Sequence, residues 1–302
     1  MRALSLLFAV ACITPLQATH VSPRFLVVGH RGAPRLEAEN TIVSYTRAIS
    51  LGANALELDV CVTADSQVVV WHDRDPDSTV ALGRQAKLEG LLYHAWVPAV
   101  GDPFRRTVET LTQQELIDNY GYAKDDGVRD PNAAIVTFDR LVAFIAGASS
   151  LKTVYVDVKT EDGDHDRTEL VFTAFQTALP GHDLVFLSPY EKNIDTLIAL
   201  RDQLGSTFRI AWDSENAGVV ERTESKGLRD VSTGLSTRLF VEYQSELSDA
   251  LAARAAGKLD SITTWTIDDE DTLRDFVDAG VDAIMTNDPD VLFRIWQAKL
   301  KP

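Results

Sequence analysis

A (β/α)8 TIM barrel with an insertion after the third strand is the α/β fold that this sequence predicts. Three observations carry it. Short apolar runs rich in β-branched residues recur along the 302 residues, and amphipathic helical stretches follow several of them. No long Ser/Pro/Gly linker or fixed-period repeat divides the chain. Strands alternating with helices over such a length imply parallel βα units, and eight strands are what a barrel needs. A doubly wound open sheet is the alternative fold.

The elements follow in chain order. Met1-Arg2 and the apolar run Leu4 to Ile13 have the form of a signal peptide, too short to span a bilayer, with cleavage after Ala18. Residues 1–18 are therefore expected to be removed, leaving 19–302 as a single domain that is secreted or periplasmic. A lipoprotein reading through Cys12 is weaker, because Ala9 stands where such sites usually carry Leu. Cleavage leaves Cys61 alone, so an exported chain has no internal disulfide and depends on its core.

Candidate strands are Phe25–Gly29, Ala55–Val60, Val68–Trp71, Thr153–Val158, Leu184–Leu187, Phe208–Trp212, Ile262–Ile267 and Ala283–Met285. Leu239–Tyr243 is a further candidate and blurs the count near the sixth position. Helices are expected at Asn40–Leu51, with Asn40 as cap, and at Leu170–Leu179, Asn193–Leu204 and Asp268–Ala279. Residues 75–132 carry Pro, Gly and charge, with a helix over Gln113–Asn119. They read as an insertion over the barrel mouth, either a functional lid or a disordered segment. Tyr93, Trp96 and Phe104 within it would form an apolar lid for a lipid-like alcohol or a small core of their own.

Composition narrows the partners. A net charge of −16 excludes the basic stripes that nucleic-acid binding needs and disfavours docking on anionic lipid. No stable membrane anchor is expected, so a small-molecule substrate remains.

The polar residues that matter stand at strand ends. The first strand runs into His30-Arg31-Gly32, the second contains Glu57-Leu58-Asp59, the third ends in His72-Asp73, and the fourth contains Asp157-Val158-Lys159. Side chains alternate along a strand, so Glu57 and Asp59 share a face, as do Asp157 and Lys159. Each alone reads as a paired core charge or a satisfied polar residue. Together, on four consecutive strands, they are costly to bury without a ligand. Three carboxylates suit one hard divalent cation, Ca²⁺ or Mg²⁺. Two histidines with Arg31 and Lys159 suit chemistry on an anion, with phosphate the natural candidate.

Gly29-His30-Arg31-Gly32, Glu39-Asn40-Thr41, Glu57-Leu58-Asp59-Val60 and His72-Asp73 resemble the opening signature of the glycerophosphodiester phosphodiesterase family. Val156-Asp157-Val158-Lys159 resembles its fourth-strand motif. Thr264-Trp265-Thr266 and residues 280–289 resemble its closing pair of strands. The resemblance spans roughly residues 26–292 and is weak at about 75–150 and 190–255.

It implies the TIM barrel, one divalent metal on Glu57, Asp59 and Asp157, and His30 and His72 as catalytic acid/base pair. Arg31 and Lys159 would bind the phosphate, and Trp265 would line the glycerol side. The implied reaction is hydrolysis of a glycerophosphodiester to glycerol 3-phosphate and an alcohol, with or without a cyclic phosphate on the way. Three residues depart from the family pattern: Asp157 replaces Glu, Ala38 replaces Pro, and Cys61 replaces a polar residue. Cys61 would sit beside the metal or, better, pack as a small buried side chain.

Two other readings stay open. The related sphingomyelinase D and phospholipase D toxins act on lysophospholipid or sphingolipid, and Leu51–Glu57 has their character. The intact Glu39-Asn40-Thr41 and the lack of disulfide cysteines favour the first family. A non-catalytic anion-binding barrel is the other. Gly-x-Ser-x-Gly and Gly-x-Gly-x-x-Gly turns are absent, which disfavours an α/β hydrolase or dehydrogenase. His94, His165 and His182 lie in loop-like segments, and residues 161–166 read as a solvated acidic turn.

Overall fold

The computed structural model describes residues 24–214, 218–234 and 240–300; residues 1–18, expected to be a signal peptide, lie outside them. The described residues form twelve strands: β1 (Leu26–Gly29), β2 (Ala55–Val62), β3 (Val68–Val70), β4 (His94–Trp96), β5 (Gly121–Ala123), β6 (Val136–Thr137), β7 (Thr153–Val158), β8 (Leu184–Ser188), β9 (Arg209–Ser214), β10 (Asp230–Gly234), β11 (Ser261–Trp265) and β12 (Ala283–Thr286). Eight of them close a parallel barrel, β1-β2-β7-β8-β9-β10-β11-β12 and back to β1. Helices α1 (Ile42–Ser50), α5 (His165–Ala178), α6 (Glu191–Leu204), α7 (Val219–Ser225), α8 (Phe240–Ala255), α9 (Glu270–Ala279) and α10 (Pro289–Lys299) follow the barrel strands. The insertion adds α2 (Thr79–Gln85) and α3 (Gln113–Asn119); α4 (Phe138–Gly147) follows it and packs Leu141 and Ile145 into the main core ahead of β7.

Seven of the eight candidate strands are barrel staves. Val68–Trp71 contains β3, which runs antiparallel to β2 and to β6, so it is a flap on the barrel rather than a stave. The insertion follows the third strand in the chain, yet it interrupts the barrel between its second and third staves. The unforeseen stave is β10, whose sequence Asp230-Val231-Ser232-Thr233-Gly234 offers one large apolar side chain. All five residues are nevertheless buried, because small polar groups find partners inside: Ser232 Oγ–H donates to Asp213, and Arg209 donates to Asp230 at 2.8 Å. The Leu239–Tyr243 strand candidate is also corrected, since residues from 240 belong to α8 and Leu239 lies outside the described residues.

The strands are hydrophobic on both faces at their N-terminal ends. Val28, Ala55, Tyr155, Val185, Ala211 and Ala283 fill the barrel interior, while Val27, Leu56, Val156 and Phe186 face the helices. Moving toward the C-terminal ends, the interior turns polar, with Glu57, Asp59, Asp157 and Asp213 taking the inward positions. That switch places the charge at the catalytic face of a barrel.

The insertion builds its own core. Trp71, Tyr120, Tyr122, Leu111, Leu116 and Ile135 are buried together, with Tyr93 and Phe104 packed against them. Cys61 joins this cluster, its thiol donating to the Trp71 carbonyl at 3.2 Å, so it packs as a small buried residue. Trp96 stacks under the Arg129 guanidinium. The segment is thus ordered, and the aromatic residues hold it together rather than lining a lipid slot. His94 opens β4 and His165 opens α5 instead of lying in loops, whereas His182 lies in the loop before β8.

Candidate active site

A cavity of about 590 Å³ lies at the C-terminal end of the barrel. His30, Arg31, Glu57, Asp59, His72, Asp157, Lys159 and Trp265 all line it. Every sequence-predicted site residue is therefore brought to one place.

The loop after β1 is shaped for this. Arg31 and Gly32 both adopt positive φ, 53° and 98°. A Cβ on Gly32 would come within 2.3 Å of Ser44 Oγ, so only glycine lets the loop lie against α1. The turn aims the Arg31 N–H at Glu57 Oε2, 2.9 Å away. The Arg31 side chain meets Glu39 at 3.0 Å and Asp59 at 3.2 Å. The α1 cap is Thr41, whose hydroxyl accepts from the Ser44 N–H, and not Asn40. Asn40 is diverted to the site, donating to Asp59 Oδ2 at 2.7 Å and accepting from the Tyr45 hydroxyl at 2.9 Å.

Glu57, Asp59 and Asp157 each offer an oxygen, and these oxygens lie within 4.8 Å of one another. All three residues are buried. Strand register explains it, since Asp59 pairs directly with Asp157 across β2 and β7. Burial pushes Glu57 and Asp157 above the usual carboxylate range, and the Asp59 charge adds to it. For Asp59 burial acts the same way, but His72, Lys159, Arg31 and the Asn40 amide outweigh it and hold it low. Lys159 contacts both Asp157 and Asp59 and stays protonated despite its burial. Asp157 Oδ1 is buried with no hydrogen-bond partner. An orphaned carboxylate oxygen in a converging all-oxygen donor set fits a hard divalent cation. The shorter arm of Asp157 does not break the cluster.

The two histidines are held differently. His30 Nδ1 is 2.9 Å from Asn287 Oδ1, and Asn287 in turn donates to Asp268 at 2.7 Å. His72 Nδ1 is 2.6 Å from Asp73 Oδ1. In the neutral tautomer that both bonds favour, Nδ1 carries the proton and Nε2 is left as an acceptor. Burial, reinforced by Arg31, lowers His30 to about 4 and pushes His72 well below the usual imidazole value.

Several site residues were not foreseen. Asp213, on β9, lines the cavity, and Asp268 and Asn287 support His30. The acidic stretch after Lys159 stays outside, with Asp164 capping α5. Burial and the nearby Asp157 charge raise Asp213 to about 8. A carboxyl raised in the folded state binds a proton that the unfolded chain has lost above pH 4, so stability falls as pH rises from about 4 to 8. In chelator-treated protein, Asp213→Asn is expected to flatten that fall; urea midpoints across pH measure it, and an unchanged slope would refute the shift.

A family model described as "Glycerophosphoryl diester phosphodiesterase family" matches residues 30–291. A Bacillus subtilis glycerophosphodiester phosphodiesterase is 32% identical over 124 residues, which is 36% of this chain and 42% of that protein. A Loxosceles hirsuta dermonecrotic toxin is 48% identical over 58 residues, 18% of this chain and 21% of the toxin. The chain thus spans less than half the length of these curated relatives. An Oleispira antarctica phosphodiesterase, solved in complex with the product sn-glycerol-3-phosphate, shares the fold with a TM-score of 0.62 at 16% identity, covering 91% of this chain and 96% of that one.

Proposed function

Because the chain belongs to the glycerophosphoryl diester phosphodiesterase family, and so to the phosphoric diester hydrolases, we propose that it hydrolyses glycerophosphodiesters to glycerol 3-phosphate and an alcohol. One observation carries the reading: two partly buried imidazoles, two cations and three converging carboxylates share one cavity. The Oleispira antarctica product complex supports the same substrate class.

Arg31 and Lys159 hold the phosphodiester through its non-bridging oxygens. Glu57, Asp59 and Asp157 would hold one divalent cation, Ca²⁺ or Mg²⁺, which supplies further positive charge against those oxygens. Of the two imidazoles, one takes the proton of the attacking hydroxyl and the other donates a proton to the leaving oxygen. Asn287 and Asp73 engage Nδ1 of the two rings, leaving Nε2 of each to exchange the proton. Trp265 offers an apolar wall to the glycerol carbons. The attacking hydroxyl belongs either to water or to the glycerol itself. No described helix is long and apolar enough to cross a membrane.

A second substrate, an intact lysophospholipid or sphingolipid, is favoured by the local likeness to the dermonecrotic toxin and by Val80, an exposed apolar residue that lines the cavity with Leu91. Incubating the protein with glycerophosphocholine, lysophosphatidylcholine or sphingomyelin, each with Ca²⁺ or Mg²⁺, separates the two. Metal-dependent release of glycerol 3-phosphate is the expected result. Release of choline only from the acylated substrates would move the second reading forward, and no turnover of any would leave an anion-binding barrel.

A further inference from the structure

The insertion reaches into the site through one side chain. Arg84, on α2, is 4% exposed and touches three carboxylates. Its Nε–H donates to Asp73 at about 3 Å, one terminal nitrogen meets Glu39, and the other meets Glu89 at 2.6 Å. Asp73 is the acceptor for His72, and Glu39 is the partner of Arg31. Glu89 also approaches Arg31, at 3.5 Å. Arg31, Glu39, Arg84 and Glu89 thus form a closed ring of alternating charge, with the His72–Asp73 pair attached to it.

We propose that Arg84 is a positioning residue of the insertion that sets both His72 and Arg31 for the reaction. This role of Arg84 follows from its geometry and rests on the proposed hydrolysis. A guanidinium offers five N–H donors in a rigid fork, and three of its directions are used here on carboxylates from three separate segments. Lysine has a single point charge and cannot hold all three.

Remove the guanidinium, and Asp73 keeps His72 but loses its own anchor. Its carboxylate is then buried with one neutral partner, and it relieves that cost by taking a proton or by swinging away. Either response releases the His72 ring from the tautomer that presents Nε2. Glu39 meanwhile is left to Arg31 alone and draws the guanidinium away from the phosphate position. A purely structural ion pair would act on stability and leave the ring orientation untouched.

The test uses the full mature chain with Mg²⁺ or Ca²⁺. Arg84→Met and Arg84→Lys are compared with wild type on glycerophosphocholine, and the low-field proton resonance of His72 Nδ1–H, assigned by its loss in His72→Ala, is followed by NMR. Arg84→Met is expected to lose about 10–100-fold in kcat, the range for supporting partners of site residues, with a smaller change in KM. Its resonance should shift or vanish. Added guanidinium should restore part of both, while sodium chloride at equal ionic strength should not. Arg84→Lys should fall between the two, and it carries the same readouts if Arg84→Met does not fold.

A folded Arg84 variant with wild-type kcat and an unmoved resonance overturns the proposal. If wild type itself fails to turn over glycerophosphocholine, the functional reading falls, and the resonance still decides whether Arg84 orients His72.

Discussion

Replacing either His30 or His72 by alanine is expected to lower kcat on glycerophosphocholine by about 10²–10⁴-fold, the usual contribution of a positioned acid or base. KM should change far less, because neither ring is needed to hold the phosphate charge. Arg31 and Lys159 remain for that. Both histidines are partly covered, and neither belongs to the hydrophobic clusters of the barrel or the insertion. The variants should therefore fold, which circular dichroism and a urea midpoint would check.

The pH profile adds a second readout. An imidazole lowered by burial stays neutral to lower pH, so a base with His30's value of about 4 keeps working below the usual imidazole range. The acid limb of kcat/KM, which reports the free enzyme, should accordingly lie below pH 6.5. A divalent cation nearby moves it further in the same direction. Near-normal turnover in both variants would remove the histidines from the chemistry and leave the barrel as a charge-stabilising scaffold.

The carboxylate triad is expected to show the other large effect. Asp59→Asn or Glu57→Gln should abolish divalent-cation binding measured by calorimetry. Each should cost more than the roughly 10–100-fold typical of an outer-shell partner. A chelator should reproduce that loss in wild type. Stability should move the opposite way. Glu57 and Asp157 are raised by burial and by the Asp59 charge, so the metal-free protein carries unfavourable like-charge contacts. Neutralising Glu57 relieves them, and in chelator Glu57→Gln should be at least as stable as wild type toward urea. Adding Mg²⁺ or Ca²⁺ should then stabilise wild type by mass action and leave the variant where it was. An equal cation-induced shift in both proteins would sink the triad as the metal site. Asp157→Glu should retain binding, since the carboxylate at this position lines the cavity.

Much of this was legible in the chain. Period-two alternation at Glu57/Asp59 and Asp157/Lys159 states that each pair shares a face, and the strand-terminal positions of His30 and His72 state which end of a barrel they reach. Apolar runs mark seven of the eight staves because a parallel strand is buried on both faces and must be hydrophobic along its length. The site residues followed from those two regularities together with the motif resemblance.

What escaped was whatever depends on closure. Val68–Val70 is locally indistinguishable from a stave. Its antiparallel course is set by the turn at Thr63–Gln67, where the Thr63 N–H donates to the Gln67 carbonyl, and by its partner β6. The stave β10 has almost no hydrophobic signal, since its polar side chains are satisfied by Asp213 and Arg209 from the neighbouring strand. Asn40 looks like a helix cap, and only the approach of Asp59 and Tyr45 shows that its amide is spent on the site.

By itself, then, the sequence determined the barrel class, the end that carries charge, and the residue types converging there, because periodicity and strand position are local properties. Tertiary structure decided which strands are staves, and it decided the partners that orient the chemistry. His30 is steadied by Asn287, 257 positions away, and Asp73 and Glu39 meet through Arg84 of an insertion with no clear local pattern. Charge–charge geometry among distant segments exists only once the barrel has closed, and no period in the chain encodes it.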